Sequence, residues 1–399
     1  MKLQTIHDGD VLVTNERSLF RCKTDGSTTK LGRLPTPDSA GFAYRLQTTS
    51  PFRSAVTAVT GRFPAVNVWS ITDETLLASA GRWVFHSDDG GRQWTVSHLL
   101  PDSSAPMGVL PTAVCSTGEE IYLGEYPLDN QTTPRVLRST DGRTWSTVAT
   151  LDGVRHVHSV QRDPYTDDIW VTTGDTDAES KIGRLQDGTL EVVGEGDQSW
   201  RAVKLAFTPS AVLWGVDSVY TDGKPIRKLP RERIDEPDPR PETVHEVTSS
   251  VYYAETLAVD GELWVLFSTS MEAGADSTGP ETQTVRSDRA AVVAASSASD
   301  FSNWHELVSY EKRTTPADWM NGRAPVPTAN AYVFLATHPD HGVILNPYNT
   351  ARDDGKLRTI PPQLLADCSQ KAGRGSTDSI DEAMSNSSET DRSNIADVP

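Results

Sequence analysis

Residues 155–175, RHVHSVQRDPYTDDIWVTTGD, hold the densest set of chemistry-bearing side chains in the sequence. His156 and His158 sit two apart in an alternating run, and Asp175 follows an apolar, β-branched run, IWVTT. The polar residues 164–168 between the two runs read as a tight turn, so the stretch is a strand, a turn and a strand. Antiparallel neighbours run back on themselves, which puts the start of the first strand beside the end of the second. Two imidazoles and a carboxylate therefore meet at one end of a hairpin. Side chains two apart on a strand face the same side, so His156, His158 and Asp175 form a candidate divalent-metal site, with Glu125 a further carboxylate for it.

Such a hairpin needs a scaffold. Short β-rich runs punctuated by Asp-Gly turns continue from residue 2 to about 360, and no amphipathic helix interrupts them. Two of the turns repeat a pattern. HSDDGGRQWTV (86–96) carries Ser87, Asp89, Gly91 and Trp94, and RSTDGRTWSTV (138–148) carries Ser139, Asp141, Gly142 and Trp145. Ser and Asp side chains hydrogen-bond turn backbone, Gly takes positive φ, and Trp covers the hairpin with apolar area. Weaker copies carry Asp25, Asp187, Asp300 with Trp304, and Asp354, and a Pro-rich turn near Asp238 fills the remaining place. A period of about 55 residues predicts an all-β propeller of seven four-stranded blades, with six blades the alternative.

These turns resemble the Asp-box, or BNR, repeat of the sialidase-like β-propellers. GEY (124–126), the 155–175 stretch and QSWRAVKLAFT (198–208) are similar to a glycosyl hydrolase-like group of that superfamily whose chemistry is not established. True sialidases show an early Arg-Ile-Pro element, an arginine triad, an Asp acid and a Tyr–Glu pair. Here Arg21 and Arg45 lack the following Ile-Pro, and Arg155 with Arg201 makes two arginines rather than three. A true sialidase is not expected.

In a propeller the starts of inner strands and the ends of second strands share one face near the axis, opposite the Asp-box turns. Asp89 and Asp141 are therefore structural. The axial face collects Glu125 and Tyr126 from blade three, and His156, His158 and Asp175 from blade four. Blade five adds Trp200, Arg201 and Asp217, and blade six adds Tyr253 and Glu255. Aromatic faces, charges and imidazoles suit a small polar ligand or an oligosaccharide. The expected catalytic groups are Asp175, Glu125, His158 and Asp217. The expected substrate-binding groups are His156, Arg201, Trp200, Tyr126, Tyr253 and Glu255. The first functional reading is a carbohydrate-active enzyme of glycoside hydrolase or lyase type. The alternative is a non-catalytic propeller that docks a protein or glycan on the same face. No cofactor is firmly implied; a divalent metal at His156, His158 and Asp175 is the one candidate.

Composition narrows the partners. With 37 basic and 55 acidic residues the formal charge is −18, so nucleic acid and anionic membrane are excluded as partners by repulsion. Only ten of the basic residues are Lys, a composition that resembles salt-adapted, halophilic (haloarchaeal) proteins. Cys22, Cys115 and Cys368 are odd in number and far apart, which suggests neither a disulfide framework nor a thiolate metal site. The first residues enter a strand pattern without an apolar signal segment, and no apolar run is long enough to span a membrane. A cytoplasmic location is expected. The propeller is expected over residues 1–364, and 365–399, rich in Ser, Asp and Glu, is expected to be disordered.

Overall fold

A computed structural model describes residues 1–23, 27–41, 44, 48, 57–59, 66–105, 107–218, 223–271, 289–319 and 329–372. Asp25, Arg45 and the tail beyond residue 372 lie outside them. The strands form five separate four-stranded antiparallel sheets and one seven-stranded sheet, each four-stranded unit ordered A-B-C-D as in the sequence. The inner A strands are Lys2–His7, Val66–Ser70, Val114–Ser116, Val157–Arg162, Ala202–Phe207, Val251–Val259 and Ala331–His338. Each of the seven belongs to one blade, and the fold is an all-β propeller.

The last blade departs from the expectation of four strands. Among the described residues it has three, Ala331–His338, Gly342–Tyr348 and Arg358–Ile360. Its inner strand pairs at Ser270↔Tyr332 and Met271↔Ala331 with the extended second strand of blade six, which is why seven strands share one sheet. A helix, Pro362–Ala372, follows and buries Leu365 in the core of blades six and seven. The expected boundary at residue 364 thus falls inside a helix: Leu365 has a core to enter, which composition alone does not reveal. The turn at Asp354 is also displaced. It joins the second and third strands of blade seven, where Asp354 accepts from the Asn349 amide at 2.8 Å.

Side chains close the ring between the two ends of the chain. Fully buried Asn346 accepts from the Leu3 amide at 2.9 Å and donates to the Lys356 carbonyl at 3.0 Å. The Met1 ammonium donates to the Gly355 carbonyl.

The turns carrying Asp89 and Asp141 behave as their residue types require. Asp89 accepts from Ser87 Oγ and from the amides of Arg92 and Gln93, at 2.8, 3.0 and 2.9 Å. Asp141 accepts from Ser139 Oγ, Arg143 N and Thr144 N. Buried Trp94 donates its Nε1–H to the Gly91 carbonyl, three residues back, and Trp304 repeats that bond to Phe301. Both aspartates lie between third and fourth strands, on the face away from the candidate site.

Blade-to-blade packing is apolar. Trp170, Trp214 and Trp264 occupy the second strands of blades four, five and six and are each 1% exposed. Gly124, in the second strand of blade three, leaves room for Val157 of the next inner strand, whose Cγ1 would lie 2.4 Å from an added Cβ. A side chain there would wedge the blades apart.

Candidate active site at the axial mouth

Two of the side chains at the mouth, His158 and Tyr252, are aimed by irregularities in inner strands. The register between the first two strands of blade four shifts between Val157 and Ser159, so His158 is an extra residue in the ladder. Blade six shifts between Val251 and Tyr253, which makes Tyr252 the extra residue. Blades one and five carry shifts at Leu3/Thr5 and Ala202/Leu205. Bulges of this kind bend a strand and redirect its side chains, and here they fall where the inner strands begin.

The hairpin of blade four brings His156, His158 and Asp175 together. The two Nε2 atoms are 3.2 Å apart, and His156 Nε2 lies 3.4 Å from Asp175 Oδ1. One ring nitrogen of each imidazole and one carboxylate oxygen all fall within 4.8 Å of one another. His158 Nδ1 faces the Ala202 carbonyl at 3.2 Å, and His156 Nδ1 faces the Pro127 carbonyl at 3.4 Å. A carbonyl only accepts, so each Nδ1–H points at its carbonyl, and the two Nε2 atoms face each other, that of His156 facing the Asp175 carboxylate as well. Tyr126 stacks on His156 with centroids 3.9 Å apart.

Two arginines hold the carboxylates. Arg155 donates to Asp175 Oδ2 at 2.9 Å and to the Leu128 carbonyl at 2.8 Å. Arg201, from the turn before the inner strand of blade five, reaches Asp175 Oδ1 and Asp217 Oδ2 at 3.3 Å each. It also donates to the Asp175 carbonyl, and Gln198 donates there as well. Among the described residues the Nε–H groups of Arg155 and Arg201 are buried without an acceptor. Gly174 makes this closeness feasible: an added Cβ would stand 2.8 Å from Arg201 Cγ and 2.9 Å from His158 Cε1.

Burial and charge push these groups apart in proton affinity. Burial would raise the Asp175 carboxyl, but the His156 hydrogen bond and charge, with the Arg201 guanidinium, outweigh it and hold Asp175 well below the usual carboxylate range. Asp217 goes the other way. Its complete burial raises it, Arg201 offsets only part of that, and the Asp175 charge adds to the rise. Burial, then His156 and Arg201, lower His158 to about 3, so its imidazole is neutral. Burial also raises the Tyr126 hydroxyl, as do Asp175 and Asp217.

Four of the expected site residues lie elsewhere. Fully buried Glu125 gives its carboxylate to Arg135, receiving the Arg135 amide at 3.1 Å, Nε at 2.9 Å and Nη2 at 2.5 Å. Trp200 is 6% exposed and stacks on Trp214 at 5.3 Å in the core between blades four and five. Glu255 pairs with Lys204 at 2.6 Å and lines an axial cavity of about 450 Å³ further along the inner strands. That cavity draws Gln4, Ser70, Gln161 and Thr337 from four other blades. Tyr253 packs against Phe334 and Tyr332 over the core of blades six and seven. The residue of blade six that acts on Arg201 is Tyr252, whose charge when ionised would raise the guanidinium further. Ser250 lowers the proton affinity of Asp217. Alternation counted from Tyr253 misses both, because the bulge resets the period. Ser250, Gln198 and Gly174 carry no sequence signal of their own.

No family model and no curated protein matches the sequence. Among solved structures, a chain of the mitotic checkpoint complex is similar at 12% identity, with a TM-score of 0.52, over 90% of this chain and 88% of that one. Regucalcin from Agrobacterium tumefaciens str. C58 matches at 12% identity and TM-score 0.39, over 67% of this chain and 81% of that one. The tricorn protease matches at 9% identity and TM-score 0.42, over 89% of this chain and 39% of that one. At 12% identity the likeness to the first of these shows the fold alone. No helix among the described residues is long and apolar enough to cross a membrane.

Proposed function

We propose that the axial mouth between blades three and six is the active site of a carbohydrate-active enzyme that takes an acidic sugar, with eliminative, lyase-type chemistry favoured over hydrolysis. The observation that carries this reading is the bridge of Arg201 between two carboxylates of opposite proton affinity, Asp175 and Asp217. Glycoside hydrolysis asks for two carboxyl groups free to flank the bond. Glu125 is committed to Arg135, Glu255 to Lys204, and Asp175 is pinned as an anion by Arg155. Asp217 alone retains the raised proton affinity of a general acid.

Elimination from a uronate needs less. A cation must neutralise the sugar carboxylate, a base must take the proton beside it, and an acid must protonate the leaving oxygen. Arg155 and Arg201, each with a spare N–H, suit the first task. Asp217 suits the last. The Nε2 side of the histidine pair is the proton-accepting pole, and an anionic ligand seated beside it would raise the proton affinity that Arg201 lowers. The Asp-box resemblance of the turns agrees with a carbohydrate ligand but does not identify one.

The test is a screen of polyuronates. Unsaturated product, seen by its ultraviolet absorbance, supports the proposal. New reducing ends without unsaturation would mean a hydrolase, and binding without turnover would mean a non-catalytic glycan module. No product and no binding with any acidic glycan would refute the reading. Asp217→Asn removes the acid while keeping the shape, and turnover is expected to fall by roughly 10²-fold or more.

A further inference from the structure

We infer that His156, His158 and Asp175 bind one divalent transition-metal ion of the zinc class, in a site left open for a water or ligand oxygen. Two of the three separations among the ligand atoms already match, and all three atoms lie within 4.8 Å of one another. Two donors bound at about 2.0–2.1 Å in tetrahedral geometry lie roughly 3.3 Å apart. The His156–His158 Nε2 separation is 3.2 Å, and His156 Nε2 to Asp175 Oδ1 is 3.4 Å.

The second observation is the state of the two imidazoles. Both rings are buried, and each turns its Nδ1 to a backbone carbonyl, Ala202 or Pro127. Such a partner fixes the tautomer of a metal-bound histidine. It also turns both Nε2 atoms inward, 3.2 Å from each other and with Asp175 Oδ1 3.4 Å from that of His156, so three donor atoms converge on one point. A metal ion satisfies both lone pairs and the Asp175 oxygen at once. Arg155 keeps Asp175 Oδ2, which turns Oδ1, also met by Arg201 at 3.3 Å, toward the ion, and Arg201 keeps Asp217. No sulfur ligand is present, and a mixed nitrogen–oxygen set of three with an open position is that of a catalytic rather than a structural zinc-class site.

This rests on the proposed function in one respect. If the mouth performs elimination, the proton-accepting pole is a metal-bound water, since the ion lowers the proton affinity of water and occupies the imidazole lone pairs.

Protein purified without chelator, or stripped and then titrated with Zn²⁺ or Co²⁺ at pH 7.5, should take up about one equivalent. Bound Co²⁺ should show the visible absorption of a low-coordinate nitrogen–oxygen site. His158→Ala should weaken binding at least about 100-fold while its far-ultraviolet circular dichroism stays that of the parent. His341→Ala, in the other close histidine pair, should bind as the parent does. If His158→Ala fails to fold, His156→Gln is the replacement, with the same expected loss. A folded parent that binds neither ion, or a folded variant that binds as tightly as the parent, overturns the inference. The two readings fail separately: turnover of a polyuronate by metal-free protein would sink the metal and spare the enzyme, whereas stoichiometric metal without any acidic-glycan ligand would do the reverse.

Discussion

Replacing Arg201 by Met should destabilise the protein in a way that depends on pH with a definite sign. Arg201 is the guanidinium in contact with buried Asp217, at 3.3 Å, and the two side chains are only 12% and 10% exposed. Its loss removes the cation that Asp217 faces, while Asp175 keeps Arg155 and His156. One buried carboxylate is orphaned, which costs about 3–5 kcal/mol. At roughly 2 °C per kcal/mol for a large domain, the melting temperature should fall by about 6–10 °C at pH 7.5. Arg201 is also what restrains the rise of Asp217 above the ordinary 3.8, so in the variant that proton affinity climbs further. The folded state then binds a proton at a pH where the unfolded chain has released it. The added penalty is absent below the ordinary value and grows as pH rises through the raised folded value. Thermal melts from pH 4.5 to 7.5 at fixed ionic strength should show the gap between variant and parent narrowing toward acid. Combining Arg201→Met with Asp217→Leu removes the orphan and should restore about half of the loss or more. A gap that is constant with pH, or a single variant melting within about 2 °C of the parent, would refute the reasoning.

Two further substitutions probe the scaffold. Trp94→Ala should cost about 3–5 kcal/mol, because the ring is 8% exposed and its Nε1–H bonds the Gly91 carbonyl; Trp145→Ala, at a half-buried ring with no partner for Nε1, should cost clearly less in the same denaturant titration. Asn346→Ala removes the bond that ties the Leu3 amide to blade seven and the one to the Lys356 carbonyl within that blade and should cost about 2–3 kcal/mol, with faster hydrogen exchange at Leu3 and along Lys2–His7; protection unchanged there would mean that the ring closes by other contacts.

The period of the Asp-Gly turns determined the fold, because a Ser–Asp–Gly–Trp turn is specified by its own few residues. Asp89 and Asp141 bond only atoms within four residues of themselves, so they need no tertiary partner to be legible. The blade-four hairpin was legible for the same reason, and with it the meeting of His156, His158 and Asp175. What the sequence did not contain was the choice among carboxylates and rings that share the axial face by topology. Glu125 turned to Arg135 and Glu255 to Lys204, partners 10 and 51 residues away that no local pattern announces. Trp200 went to the core because Gly194 leaves room there for its ring. Tyr252 displaced Tyr253 at the mouth because a bulge breaks the two-residue alternation on which strand reading depends. Local hydrogen-bonding chemistry made the blades; long-range pairing and one extra residue per bulged strand decided which side chains face the axis.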